Sequence, residues 1–276
     1  MNGISEVTEK YLELYRNNID RIESMSSPYI NSFRRAALEK FRELGIPSKK
    51  NEAYRYTNLN LFFDHDYSGY FLPVASDFEK AEAFKCDVED LDTHGLVLLN
   101  GFYPTVRGKL HQLASGVWTG SLNEAALKFP ELIEKHYGKY AKSDSDGLVH
   151  LNTAMASDGV FVYVPENVKL SKPVQVVNLV QADVDTFNQH RNLIIVEKGA
   201  EFSIIVCDHT LSPKKFLTNA VTEVYVGENA HFDILRVQNE HNAACKMTHT
   251  FIHQEKNSVT SSNNMTLHGG LIRNST

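Results

Sequence analysis

The chain has 276 residues, 42% of them apolar and 22% charged, with a formal net charge of −6. These ordinary globular values exclude a disordered chain and a small disulfide-stapled fold. Basic residues are interleaved with Asp and Glu and form no dense run, which excludes nucleic acid as the main partner.

At the N-terminus, Ile4, Val7, Tyr11, Leu14, Tyr15, Ile19 and Ile22 recur at steps of three and four, the apolar stripe of one helix. A second stripe, Ile30, Phe33, Ala37, Phe41 and Leu44, begins near Ser27-Pro28 and closes at Gly45 with Pro47 beyond. The spacing predicts two antiparallel helices. From Lys49 to Pro73 there is no period, but Tyr54, Tyr56, Phe62, Phe63, Tyr67, Tyr70 and Phe71 crowd together and are expected to pack a loop onto the helices. Ser76 with Glu79 has capping-box spacing for a short helix to about Phe84. Gly95 to Tyr103 reads as a strand and turn. Ser121 with Glu124 opens another helix, interrupted at Pro130, which can start a further helix to about Tyr137.

After the polar link Lys142 to Gly147 the character changes to short β-branched runs between turn residues. The chain is therefore divided into a mainly helical domain, 1–147, and a β domain, 148–276. Four segments of the β domain resemble one another: Val164-Pro165-Glu166-Asn167-Val168, Val196-Glu197-Lys198-Gly199-Ala200, Val226-Gly227-Glu228-Asn229-Ala230 and Gln254-Glu255-Lys256-Asn257-Ser258, at intervals of 32, 30 and 28 residues. Each ends a strand and places Asn or Gly where a left-handed turn is easiest. A quasi-period near thirty predicts a parallel β-helix with stacked strands from about Leu148. A β-sandwich is the alternative, but none of the four repeated turns is the Asn-Gly or Asp-Gly pair usual in its hairpins.

Cys86, Cys207 and Cys245 are odd in number and scattered, and give neither a disulfide framework nor a closed zinc site. His241, Cys245, His249 and His253 are spaced by four and are the metal-ligand candidates, since on a helix they would form one soft-metal face. The segment reads as a strand. Aligning the repeats sets Thr250, Ile252 and Gln254 beside Thr222, Val224 and Val226, so His249, Phe251 and His253 should face outward with Tyr225, as exposed histidines beside a partner surface. The acid pairs Asp64/Asp66, Asp144/Asp146 and Asp183/Asp185 lack the Gly and distant Glu of a calcium loop. No nucleophile elbow, P-loop or dinucleotide fingerprint occurs, so no catalytic or cofactor-binding residue is assigned.

The run Asn51-Glu52-Ala53-Tyr54-Arg55-Tyr56-Thr57-Asn58-Leu59 resembles the N-terminal signature of the SufB/SufD family of iron-sulfur cluster assembly scaffolds. It is followed in family order by Asn100-Gly101-Phe102, Leu151-Asn152-Thr153-Ala154-Met155 with Asp158-Gly159, and His190-Arg191-Asn192-Leu193-Ile194. Leu217-Thr218-Asn219-Ala220, Gln238 and Gly269-Gly270-Leu271-Ile272-Arg273-Asn274 complete the set. The aromatic leader is more similar to the SufD branch. The resemblance implies a helical N-terminal domain, a right-handed parallel β-helix truncated here at its C-terminal end, and a scaffold that is not an enzyme. It further implies pairing with a SufB-like homologue through the β-helix and contact with a SufC-like ATPase through a C-terminal region beyond Thr276. The family's functional histidine also lies there and is carried onto no residue of this chain. An iron-sulfur cluster is expected transiently on the complex and on no site of this chain alone. The rival expectations are a secreted-type β-helix carbohydrate-active enzyme, disfavoured because no export signal or clustered acidic repeat is visible, and a generic β-solenoid interaction protein. With no apolar leader or spanning-length stretch, a cytoplasmic location without membrane contact is expected.

Overall fold

The computed structural model describes residues 4–72, 91–103, 110–142 and 145–276. The helix expected from Ser76 and the thiol of Cys86 lie outside the described residues, as does Asp144. Ser5 caps α1 (Glu6–Arg16) by accepting the Thr8 N–H at 3.2 Å. The predicted first helix is broken, because the Asn18 side-chain amide donates to the Leu14 carbonyl at 2.8 Å and a new helix, α2 (Ile19–Ser24), starts there. Asparagine competes with the backbone ladder in this way. The second predicted helix is likewise divided into α3 (Pro28–Ser32), capped by Ser27, and α4 (Arg34–Leu44), which closes at Gly45 with φ +67° as expected.

The aromatic stretch contains one 3-10 turn (Glu52–Tyr54), the short helix α5 (Asn60–Phe63) and the two-residue strand β1 (Ser68–Gly69). Tyr54, Phe63 and Phe71 are buried against the helices, whereas Tyr56 is 90% exposed. Next come β2 (His94–Leu99), β3 (Leu110–Gln112) and β4 (Trp118–Ser121). Ser121 caps α6 (Leu122–Lys128), and Pro130 opens α7 (Pro130–His136), both as read from the sequence.

The first departure from the predicted strands is α8 (Gly147–Met155), a helix where stacked strands were expected from Leu148. Its run GLVHLNTAM is buried on almost every side, between α4 and the strands β7 (Thr186–Val196) and β9 (Phe216–Val226), so its apolar residues carry no helical period. Gly147 is required by close approach: a Cβ there would lie 1.9 Å from the Gly45 carbonyl oxygen. At the other end, Arg34 donates to the carbonyls of Ala154 (2.8 Å) and Ala156 (2.9 Å), satisfying acceptors that helix termination leaves free.

From β5 (Val160–Val164) onward the chain is a parallel β-solenoid of about four turns. One face orders β13 (Leu271–Ser275), β11 (Ala244–Gln254), β9, β7 and β5. The other orders β12 (Val259–His268), β10 (His231–Asn239), β8 (Glu201–Thr210), β6 (Val174–Val180) and β2. Phe161, Leu193, Glu223 and Phe251 are successive ladder partners, which reproduces the intervals of 32, 30 and 28. The predicted corners are equivalent: Asn167, Gly199, Asn229 and Asn257 all have φ between 59° and 66°. Their amides stack through bonds such as Gly199 N–H to Glu228 O, 2.9 Å.

Strand alternation produces distinct buried layers. Ile194, Val196, Phe202, Ile204, Val224, Val226, Phe232 and Ile234 fill the solenoid interior. The opposite faces of β7, β9 and β11 contribute Phe187, Leu217, Cys245 and Met247 to a layer beneath α1, α4 and α8. Leu193 and Ile195 pack beneath α6 and α7. β2 precedes residue 147 in sequence, yet pairs in parallel with β6.

Candidate functional site

Toward one corner the solenoid interior changes from hydrocarbon to charge. On β10, alternation that turns Phe232 and Ile234 inward also turns Arg236 and Gln238 inward. Ladder register aligns Asn178, Asp208, Gln238 and Thr266 across four coils. The row is continuously bonded: Asn178 Nδ2 donates to Asp208 Oδ1 (2.8 Å), Gln238 Nε2 to Asp208 Oδ2 (3.2 Å), and Thr266 Oγ1 to Gln238 Oε1 (3.0 Å). The facing sheet presents Asn188, Thr218 and Lys246 in register. Lys246 Nζ reaches across to Asp208 Oδ1 at 2.6 Å and lies 3.6 Å from Glu240 Oε1. Thr210 donates to the other Glu240 oxygen, and Asn274 Nδ2 to Gln238 Oε1 at 2.7 Å.

Burial alone would raise the Asp208 pKa, but Lys246 and Arg236, with the hydrogen bonds of its neighbours, hold it below the ordinary value. Glu240 is pushed upward by burial and by Asp208, against the pull of Lys246. Burial, then the Lys246 charge, lowers His190 to about 3, so its imidazole is neutral at pH 7. The cluster therefore keeps two cations and at least one carboxylate inside the protein. Glu240 Oε1 and His190 Nδ1 accept no hydrogen bond, but the bonded row and the Lys246–Asp208 pair tie neighbouring coils in register, and removal of one of that pair leaves a buried charge without its bonded partner.

A second buried pair joins the solenoid to its helical cover. Arg191 Nε and Nη2 donate to Glu223 Oε1 at 3.0 and 2.7 Å. The same carboxylate accepts the backbone N–H groups of Gly138 (2.9 Å), Tyr140 (2.8 Å) and Ala141 (2.9 Å), all in the chain leaving α7. Burial opposes its ionisation, but Arg191 and the three amides prevail and its pKa is lowered.

The four metal-ligand candidates do not converge. Cys245, His249 and His253 project from the same side of β11, four residues apart, or about 13 Å per step. The Cys245 thiol is buried in the helix-facing layer, and burial raises its pKa far above normal. His249 does face outward, as the register predicted, but it is only 3% exposed; the expected partner-surface histidine is covered. Its Nδ1 stands 3.7 Å from Asp146. His253 is exposed and stacks against Tyr140 and Tyr225. His241 precedes the strand; its Nε2 bonds the Lys214 carbonyl at 2.7 Å while Nδ1 accepts the Ala243 N–H at 2.9 Å.

The acid pairs are also occupied locally. Asp66 pairs with Lys10, Asp185 with His65, and Asp146 both caps α8 and accepts the Tyr54 hydroxyl at 2.6 Å. Sequence reading had not singled out Asp208, Arg236, Glu240 or Lys246. The available signal was a charged residue at an inward position of an alternating strand.

The described residues contain no helix long and apolar enough to cross a membrane. Two family models match the chain in succession: the SufBD protein N-terminal region over residues 5–176, and the SufBD core domain of the SUF iron-sulfur cluster assembly system over 178–276. The chain belongs to the SufBD family. A SufBD family protein of Synechocystis sp. is 27% identical over 82% of this chain and 51% of its own length. SufD of Bacillus subtilis is 27% identical over 73% of this chain and 46% of its own. A SufBD family protein of Arabidopsis thaliana is 36% identical over 42% of this chain. The chain thus spans about half the length of the curated relatives it matches over most of its own residues. The expected division at 147/148 lies inside the first family match, which runs through α8 and β5.

Proposed function

We propose that this chain is a SufD-like scaffold subunit for iron-sulfur cluster assembly, working in the cytoplasm beside a SufB-like homologue and a SufC-like ATPase. The observation that carries the reading is the succession of the two SufBD matches along the chain, with SufD of B. subtilis aligned over most of it. In this role the protein contributes surfaces and a rigid stacked frame, and is not itself an enzyme. Pairing with the homologue uses the β-helix. A cluster forms on the assembled complex, with no stable cluster or stoichiometric zinc held by this chain alone.

Co-expression with SufB-like and SufC-like proteins of the same source, followed by affinity isolation and anaerobic metal analysis, tests this. Co-isolation with the SufB-like protein, and metal-free protein when the chain is expressed alone, are expected. Failure to associate with any SufB-like chain would overturn the subunit reading. One iron or zinc per isolated chain, lost on His249→Ala or His253→Ala, would overturn the scaffold-only reading.

A further inference from the structure

A concave surface lies away from the solenoid interior, where the antiparallel pair β4–β5 meets the joint between α6 and α7. Trp118 and Tyr163 are direct cross-strand partners and form its floor. Phe129 meets Trp118 edge to face at 5.2 Å, and Pro130 and Leu132 extend the apolar wall. The cavity has a volume of about 640 Å³, room for one or two large side chains. Three aromatic rings remain half-buried there, and such a floor with a few placed polar groups is the usual form of a recognition site.

Two lysines stand on the rim against one lining acid, although the chain as a whole carries −6. Lys128 holds its ammonium 4.1 Å from the centre of the Trp118 ring, and among the described residues no carboxylate is within ion-pair distance of it. Lys135, in the last turn of α7, pairs with Glu197 at 4.0 Å and stays exposed. Glu131 is the one acid among the lining residues and is exposed. An ammonium above an aromatic face gains from the ring quadrupole and keeps its other donors free.

We propose that this groove docks a peptide segment in which an aromatic or aliphatic side chain is flanked by carboxylates. The side chain would pack on Trp118, Phe129 and Tyr163, while the acids engage Lys128 and Lys135. Charge complementarity selects an acidic over a basic segment and makes association depend on salt. The proposal does not rest on the scaffold assignment, since it is argued from the groove's own rings and lysines.

Trp118 is the sole tryptophan of the 276-residue chain, so its emission reports on this groove alone. The probe is a blocked pentapeptide, Asp-Glu-Phe-Glu-Asp, with Lys-Lys-Phe-Lys-Lys as its charge-reversed control. The acidic peptide should give a saturable change in Trp118 emission, weakened at least tenfold by K128E/K135E and more modestly by Lys128→Gln, with melting temperature unchanged. No saturable change at millimolar peptide overturns the proposal. So does an equal response to the basic peptide, an equal response to a single-stranded oligonucleotide, or undiminished binding by K128E/K135E.

Discussion

Glu223→Gln tests whether the solenoid and its helical cover are locked by one carboxylate. Glu223 and Arg191 have side chains 1% and 2% exposed, so solvent cannot replace either partner. The two carboxylate oxygens together accept three backbone N–H groups and two Arg191 donors. An amide offers one oxygen, so its NH2 must face either the amides of Tyr140 and Ala141 or the Gly138 amide and the Arg191 guanidinium. Breaking a buried pair from one side costs about 3–5 kcal/mol, a large part of the roughly 5–15 kcal/mol that holds a domain folded. Urea denaturation should show the unfolding free energy falling by this amount, as a lower midpoint at an unchanged slope. Hydrogen exchange should accelerate first at Gly138, Tyr140 and Ala141. The exposed pair Lys198–Glu228 is the control, and Glu228→Gln should leave the midpoint in place. A loss below about 1 kcal/mol for Glu223→Gln would refute the lock, since that is the range of a surface pair. Because the folded pKa of Glu223 is lowered, its contribution is complete above the ordinary value of 4.5 and is lost as pH falls through the folded value.

Lys246→Met should cost about 3–5 kcal/mol by removing the cation bonded to Asp208, and Asp208→Asn in the same chain should recover part of that; additive losses in the double-mutant cycle would argue against direct pairing. Gly199→Val places a Cβ 2.4 Å from Asn167 Oδ1 at φ +66°, so a loss of about 1–3 kcal/mol is expected, and an unchanged thermal melt would remove the strained-corner assignment. Burial, then Lys135, lowers His136 to about 4, and burial, then Lys246, lowers His190 to about 3. Below pH 6.5 the unfolded chain binds protons that the folded chain refuses, so stability should fall on acidification by up to about 1.4 kcal/mol per pH unit for each histidine. His190→Gln should flatten that slope in pH-dependent denaturation, and an unaltered profile would contradict the buried neutral imidazole.

The solenoid was legible because its repeat is carried by backbone needs. Left-handed corners at Asn167, Gly199, Asn229 and Asn257 restrict residue choice, and their intervals survive as ladder registers. Caps at Ser27, Ser121 and Gly45 were legible for the same local reason. α8 was not, since a helix buried on nearly every side has no polar face to set its period. Asp208, Arg236 and Lys246 were hidden because charge reads as surface until strand register turns it inward. The outward direction of His249 followed from alternation. Its burial did not, because part of its cover, Tyr54 with Asp146 beside it, comes from a segment nearly two hundred residues away.

The successive offsets along one face of the solenoid are 32, 30, 28 and then 26 residues, the last from Cys245 to Leu271. Every step is even. Side chains in a strand alternate with a period of two, so a corner that gains or loses a pair of residues delivers the next strand with its inner and outer sides preserved. Loss of one residue within β11 would send Lys246 toward the helical cover and bring Met247 against Asp208. On this face the girth therefore changes by two residues at a time and the layers keep their sides, whereas at the end of the facing sheet a one-residue shift between Gln238 and Asn239 takes the offset to 29; coil-by-coil recombination with a relative would have to respect the even steps of the first face.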